Sequence, residues 1–452
     1  MAGAIACERR QSQTESQPRP NLLIVTMDTT RADHTSAYGY RHPTTPALEA
    51  LAREGTLFEV AYAPVASTGP THASLFTGKY PSKLGYLKNG LQLGRQFVTL
   101  AEVLRDEGYQ TAAIVSSFAI HGQFGFEQGS DYYHDDFVGG KGESRVAQWA
   151  GKTVRGDEFD KDAEVASAQA IEWLANLQNK QNEQNEGQPF FLWLHYFDPH
   201  WPYEARDGRE KLFPPESASP SELDLAIAHY DGEIREVDEA IASVLAQLER
   251  SGLDADTLVR ITGDHGEGLE QHGWMQHGLQ IYEESVRVPL ILRLPKRIPA
   301  GRRVRDPVSI VDLMPTILSV LQIRLDGVEF DGLDISPMWS KDGPGVPPRS
   351  LFLQRRHDTA SEVGGHTVRG EKVAIRRGSW KYIEAAQERS FELFDLDEDP
   401  GETNNLFEAM PREAETLASQ LRDWRARSSS SGFAETVDPE AAAALKALGY
   451  VQ

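Results

Sequence analysis

Residues Asn21–Asp28 read NLLIVTMD, an unbroken apolar run that stops on an acid. Without polar alternation, such a run suits a strand covered on both faces, as in a parallel sheet between helical layers. Two further segments share the form. Pro189–Phe197 reads PFFLWLHYF and leads to Asp198 and His200, and Leu258–Thr262 ends at Gly263-Asp264-His265. Tyr109–Val115 and Val288–Leu294 are also predicted strands. Helical signals separate them. Thr45-Pro46 opens a helix that stops at Gly55, and Pro70–Gly78 has proline at its first position and glycine past its end. Thr99 and Glu102 form a capping box closed by Gly108. Ala163–Leu177, a segment capped by Ser219-Pro220 and Glu222 and running to about Arg250, and Val311–Leu321 complete the set.

Strands alternating with helices imply an α/β fold: a large, mostly parallel sheet flanked by helices on both faces. After about Pro344 the pattern becomes Lys372–Arg376, Trp380–Glu384 and Phe391–Phe394, short strands joined by turns, then a helix over Pro411–Ala426. This predicts a smaller C-terminal α+β unit with a short antiparallel sheet. The expected division is residues 1–20 as a tether or signal remnant, 21–345 as the catalytic unit, 346–428 as the C-terminal unit and 429–452 as a tail. The run QNKQNEQNEGQ after Leu177 reads as a solvated loop.

A net charge of −22 gives no footprint for nucleic acid. It also repels anionic substrates, so a local positive centre has to capture them. The single cysteine, Cys7, excludes an internal disulfide or thiolate cluster. Small residues before Cys7 and the polar run after it resemble the end of a bacterial lipoprotein signal, although the basic region and most of the apolar region are missing. A membrane tether through Cys7, with a periplasmic or extracellular location, is one expectation. An incidental cysteine in a cytoplasmic protein is the other.

In an open α/β sheet, ligands bind beyond the carboxyl ends of the strands, which is where Asp28, His195/Asp198/His200 and Asp264-His265 fall. Two carboxylates and an imidazole suit a divalent cation, and the Thr68 oxygen is a natural fourth ligand. Thr68 precedes the Pro70 helix, whose free N–H groups favour an anion, and metal coordination would activate its hydroxyl. The bland alternative is that Thr68 is a plain N-cap. Imidazole suits zinc or manganese better than calcium or magnesium.

The blocks TMDTTRADHTSAYGY, TGPTHASLFTG, HYFDPHWPY, GDHGEGLEQHG, IYEESVRVPLI and FELFDLDEDPGETNNL resemble the sulfatase family of the alkaline phosphatase superfamily over about Asn21–Gln452. The resemblance implies a two-part α/β fold with a metal at the C-terminal edge of the large sheet. Typical sulfatases open Cys/Ser-x-Pro-x-Arg with a residue that becomes formylglycine, whereas here the block is Thr68-Gly69-Pro70-Thr71-His72. No formylglycine is expected. The usual paired acids are Asp28-Thr29 here, aspartate–asparagine is Asp264-His265, and no Lys-x-His stands near Ser116-Ser117.

Asp28, Thr68, Asp264 and His265 instead match the phosphodiesterase and phosphatase branches. Asn89 lies 21 residues beyond Thr68, like the oxygen-binding asparagine of those enzymes. With His72 it is a candidate substrate contact. His200 matches a family position that contacts the leaving group or sulfate, His277 occupies the region of a family lysine or histidine, and either could protonate the leaving alkoxide. With Asp198 they could alternatively bind a second cation. A threonine ester cannot collapse to an aldehyde as formylglycine does, so this reading favours a phosphate mono- or diester hydrolase working through a Thr68-bound intermediate. The alternatives are a sulfate-ester hydrolase without formylglycine and a non-catalytic binder of anionic glycans or lipids. The substrate would be a small-molecule, glycan or lipid ester, and the sequence leaves oligomeric state open. His195 is expected to be a satisfied core histidine, His34 and His42 surface residues, and Gln123–Gly142 and Ala205–Pro220 specificity loops.

Overall fold

A computed structural model describes residues 19–137, 146–149, 152–155, 160–184, 187–340, 345–355, 358–363, 366–428 and 443–445. Cys7, most of the supposed tether, the far end of the first specificity loop and most of the supposed tail lie outside them.

The large sheet has eight strands: β1 (Asn21–Met27), β2 (Thr56–Phe58), β3 (Gln110–Ile114), β4 (Tyr132–His134), β5 (Phe190–Tyr196), β6 (Thr257–Gly263), β7 (Leu290–Arg293) and β8 (Arg302–Val304). Their spatial order is β8-β2-β7-β6-β1-β5-β3-β4. β1 is central and parallel to both β5 and β6, and only β7 runs against its neighbours. Every residue of β1, β5 and β6 is buried, as unbroken apolar runs require.

Helices cover both faces. On one lie α2 (Thr68–Thr77) and α6 (Leu313–Val320), packed through Ala73, Phe76, Met314 and Ile317 on Leu22, Ile24, Trp193 and Leu258. The other face carries α1 (Pro46–Glu54), α4 (Ala163–Gln184) and α5 (Glu222–Arg250), through Leu51, Leu174, Val237 and Val244 on Leu23, Val25, Leu192 and Ile261. Between α2 and α4 in the chain, α3 (Leu100–Asp106) has the expected Thr99/Glu102 capping box.

Several boundaries differ from expectation. α4 runs through the polar stretch to Gln184 rather than stopping at Leu177, because glutamine, glutamate and lysine are good helix formers even without an apolar stripe. α5 is capped by Ser221 and Asp224 rather than Ser219 and Glu222. α2 begins at Thr68, which makes Ser67 its N-cap and Pro70 its third residue. The plain-cap reading of Thr68 is therefore wrong. His34 is buried, with Nδ1 2.7 Å from Asp231 Oδ1, so it is not a surface residue.

The second sheet is antiparallel, in the order Leu351–Gln354, Val373–Arg377, Trp380–Ala385 and Ser390–Asp395. One face is covered by α7 (Pro411–Ser428) through Leu417, Leu421 and Trp424. The other packs on Tyr62, Ile281 and Val286 of the larger unit. A buried lysine of this sheet, Lys381, reaches Glu283 at 3.1 Å and Glu402 at 2.9 Å. Glu402 Oε2 also accepts the Glu283 amide at 2.6 Å.

Burial pushes the Glu402 carboxyl up to about 7 from an ordinary 4.5, against the pull of Lys381. The folded state therefore holds a proton that the unfolded chain has lost within that window, and stability falls as pH rises through it. Lys381→Met removes the opposing charge and extends the window upward. The expected loss is about 3–5 kcal/mol at pH 8 and clearly less at pH 5, measured by urea unfolding. An equal loss at both pH values would show that Glu402 is not the carboxyl left behind.

Candidate metal and catalytic centre

Asp28 is the first residue past β1 and Asp264 the first past β6. The ladder continues just far enough to fix both: the Asp28 amide donates to Tyr196 O at 2.9 Å and the Asp264 amide to Met27 O at 3.1 Å. Asp264 Oδ1 is taken by two amides, Thr29 at 3.1 Å and His265 at 2.7 Å. Its Oδ2 and both oxygens of Asp28 are buried without a hydrogen-bond partner. Thr29 holds a positive φ of 46°, a costly conformation for a β-branched residue that here aims its amide at Asp264. Close chain approach explains two glycines. A Cβ at Gly263 would meet Thr30 O at 2.7 Å, and one at Gly266 would meet Glu284 O at 1.9 Å.

His265 Nδ1 faces Gly266 O at 2.9 Å, so that nitrogen carries the proton and donates. Nε2 then presents a lone pair, 3.6 Å from Asp28 Oδ1, 3.7 Å from Asp264 Oδ2 and 3.3 Å from the Thr68 hydroxyl. Acceptors facing one another in a dry site are repulsive. Asp28, Asp264 and His265 offer atoms within 4.8 Å of one another, a group able to hold a metal ion. With the two orphaned carboxylates, that donor set fits a divalent cation.

The electrostatics agree. Burial, with the charges of Asp264 and Glu267, holds the Asp28 carboxyl well above the usual carboxylate range, and burial raises Asp264 too. Burial holds His265 down to about 4 and His72 to about 3, which keeps both rings neutral.

The other expected site residues are near but differently engaged. His72 Nδ1 bonds to Thr68 O at 2.8 Å and its Nε2 to the Thr26 hydroxyl at 3.0 Å. Trp193 Nε1 also donates to Thr26, at 3.0 Å. Both nitrogens of His72 are thus committed to holding the first turn of α2. Asn89 Oδ1 accepts from the Ser67 hydroxyl at 3.2 Å and the Gly69 amide at 2.8 Å, bracketing Thr68 from either side. The ring of His277 lies 4.4 Å from that of His265 and 5.0 Å from that of His200. Its Nδ1 is 3.3 Å from both oxygens of Glu267. Among the described residues, Asp198, His200 and His277 do not form a second metal-binding group.

Sequence reasoning missed Thr26, Arg260 and Glu267, and it misread His195. Neither ring nitrogen of His195 has a hydrogen-bond partner, so it is not the satisfied core residue expected. Arg260, fully buried on the same face of the sheet, also lacks a partner among the described residues. Burial brings its guanidinium down to about 9.

A sulfatase family model matches residues 20–323, and a model of the N-sulphoglucosamine sulphohydrolase C-terminal region matches 270–427. An ulvan-active sulfatase of Formosa agariphila is 27% identical over 449 residues, covering 92% of this chain and 83% of that protein. An N-acetylglucosamine-6-O-sulfatase of Bacteroides thetaiotaomicron is 25% identical over 493 residues, covering 87% and 84%. A solved structure in complex with its substrate D-glucosamine-2-N,6-O-disulfate superposes with a TM-score of 0.73 at 22% identity, covering 91% of this chain and 98% of that one. At that identity the superposition speaks to fold alone.

These findings overturn the preference for phosphate esters, because the relatives are named as sulfatases. The preference rested on how a threonine ester is resolved. That chemistry constrains the second half of a reaction and not which tetrahedral oxyanion the site admits.

A cation held between Asp28 and Asp264 would compete with protons for the Asp28 carboxyl, which burial holds well above the usual carboxylate range. Mn²⁺ affinity of the metal-free protein should therefore weaken as pH falls, by up to about tenfold per unit for each proton displaced. Calorimetric titration at pH 8 and pH 6 in buffers of differing ionisation enthalpy measures both affinity and proton release. A pH-independent affinity with no proton release would contradict the buried-carboxylate account.

Proposed function

The chain belongs to the sulfatase family, and from that premise we propose that it hydrolyses sulfate esters of carbohydrates with an unmodified Thr68 and one divalent cation, zinc or manganese. The observation that carries the reading is the orphaned face of Asp28 and Asp264 opposite the His265 lone pair, with the Thr68 hydroxyl 3.3 Å from that nitrogen. The carbohydrate part rests on the relatives, named for ulvan and N-acetylglucosamine sulfates.

When bound, the cation supplies positive charge that acidifies the Thr68 hydroxyl and draws electron density from the sulfate oxygens. His72 and Asn89 keep the Thr68 backbone fixed, so the hydroxyl approaches sulfur from one direction. Thr68 Oγ1 releases its proton to solvent and bonds to sulfur as the ester S–O bond breaks, and the departing alkoxide takes a proton from His277 Nε2. Glu267 at Nδ1 steadies that ring. His277 next accepts a proton from water, whose oxygen attacks the same sulfur. The bond to Thr68 breaks, the second proton of that water passes to Thr68 Oγ1, and sulfate and free threonine result.

Charge supports sulfate over phosphate monoesters. Two carboxylates and one divalent cation sum to zero, which tolerates one incoming negative charge better than the ~1.5–2 of a phosphate monoester at neutral pH. With 4-nitrophenyl esters, kcat/KM for sulfate should exceed that for phosphate by about tenfold or more. Thr68→Ala should lower sulfate turnover on the order of 10³-fold or more, and the peptide mass should show an unaltered threonine. Faster phosphate turnover, or an unimpaired Thr68→Ala enzyme, would refute the proposal.

A further inference from the structure

His195 is the penultimate residue of β5, paired in register with Thr26 on β1. In a strand, alternate residues share a face, so its side chain lies with Trp193 on the face that carries α2. It is fully buried, and neither ring nitrogen has a hydrogen-bond partner. Nε2 stands 3.6 Å from Asp28 Oδ2, an oxygen also without a partner. That is beyond hydrogen-bonding distance, yet close enough that two lone pairs, or a misplaced donor, would be costly in a dry site.

A second group of potential metal ligands, His72, His195 and Asp264, also converges within 4.8 Å. His72 has nothing to give it, since both its nitrogens are engaged with Thr68 O and Thr26. Removing His72 leaves His195 beside the same Asp28 and Asp264 that face His265. The two groups share Asp264, and His195 also faces Asp28 of the other group. Three donor separations among them are 3.6 Å for His195–Asp28, 3.6 Å for His265–Asp28 and 3.7 Å for His265–Asp264. Ligands about 2.0–2.2 Å from one ion stand roughly 3–3.6 Å apart, so each of these three pairs stands at or just beyond the separation of ligands that share an ion.

We infer that His195 is a fourth protein ligand of the cation, giving a two-aspartate, two-histidine site to which the Thr68 hydroxyl adds. The inference rests on the cation site proposed above and extends it. A second imidazole moves the preference further from calcium and magnesium toward zinc, manganese or iron. It also binds β5 to β1 and β6 through the ion, so three adjacent strand ends share one centre.

The test uses the full chain stripped of metal and reloaded with one equivalent of Mn²⁺. Pulsed electron paramagnetic resonance counts the coordinated imidazole nitrogens directly. The expected count is two in the wild type, one in His265→Ala, one in His195→Phe and none in the double variant. Mn²⁺ affinity should fall tenfold or more in His195→Phe. The wild-type count and the His265→Ala count decide the matter even where the phenylalanine variant does not fold. A single nitrogen in the wild type, lost in His265→Ala, would overturn the role of His195 and leave the three-residue site intact. A wild type that takes up no stoichiometric Mn²⁺ would overturn both.

Discussion

Asp28 and Asp264 are two buried carboxylates whose orphaned oxygens look into the same small space. Two like charges about 4 Å apart repel by roughly 4 kcal/mol even at an effective dielectric near 20, and burial adds a desolvation cost to each. The fold makes this arrangement unavoidable. β1 and β6 are adjacent and parallel, each stops on an aspartate, and the last ladder hydrogen bonds lock both backbones. The rest of the site reads as a response to that conflict. Thr29 gives up a comfortable φ to place its amide on Asp264, Gly266 removes a side chain that would block Glu284, and His265 turns its lone pair inward. Each feature makes sense around a cation.

The elements that were legible in the sequence are those whose signal is local. Unbroken apolar runs identified β1, β5 and β6, and the Thr99/Glu102 box identified a helix start. The acids at the strand tips followed from the parallel sheet. What was not legible depends on chain segments far apart. A histidine in an apolar run, such as His195, looks like core until one knows that its neighbours on β1 and β6 end on carboxylates. Asn89 looks like a turn residue or a substrate contact. Its engagement with Ser67 and Gly69 depends on how the loop after α2 folds back. His72 stands in the position of a family arginine, but imidazole is short and double-ended. Its reach between Thr68 O and Thr26 could not be derived from spacing along α2. Thr68 was misplaced by one position for a related reason: serine and threonine are both good caps, and only the backbone decides between neighbours.

The smaller sheet contributes more than a scaffold. The loop after β6 carries Glu267, His272 and His277, and its return segment carries Glu283 and Glu284. Lys381 fixes Glu283, while His272 bridges Glu284 at 2.9 Å and Glu402 O at 3.2 Å. The ring of His272 also stacks on Tyr282 with centroids 3.9 Å apart. Side chains from the C-terminal unit thus hold the far side of the loop that presents His277. The family match across residues 270–427 spans this loop and the sheet together, as expected if the two form one functional piece.

This coupling bears on how a strongly acidic protein handles an anionic ester. At a net charge of −22 the surface repels the substrate at long range, so discrimination has to occur over the last few ångströms. The groups gathered there are Asp28, Asp264, His195, His265, the Thr68 hydroxyl and the His200–His277 pair. No lysine or arginine was found among them. Under the proposed function a cation would supply the positive charge that this set lacks. A site so sparing in cations favours the ester with the smaller charge. That links the neutral buried imidazoles and the sulfatase relatives through one electrostatic cause.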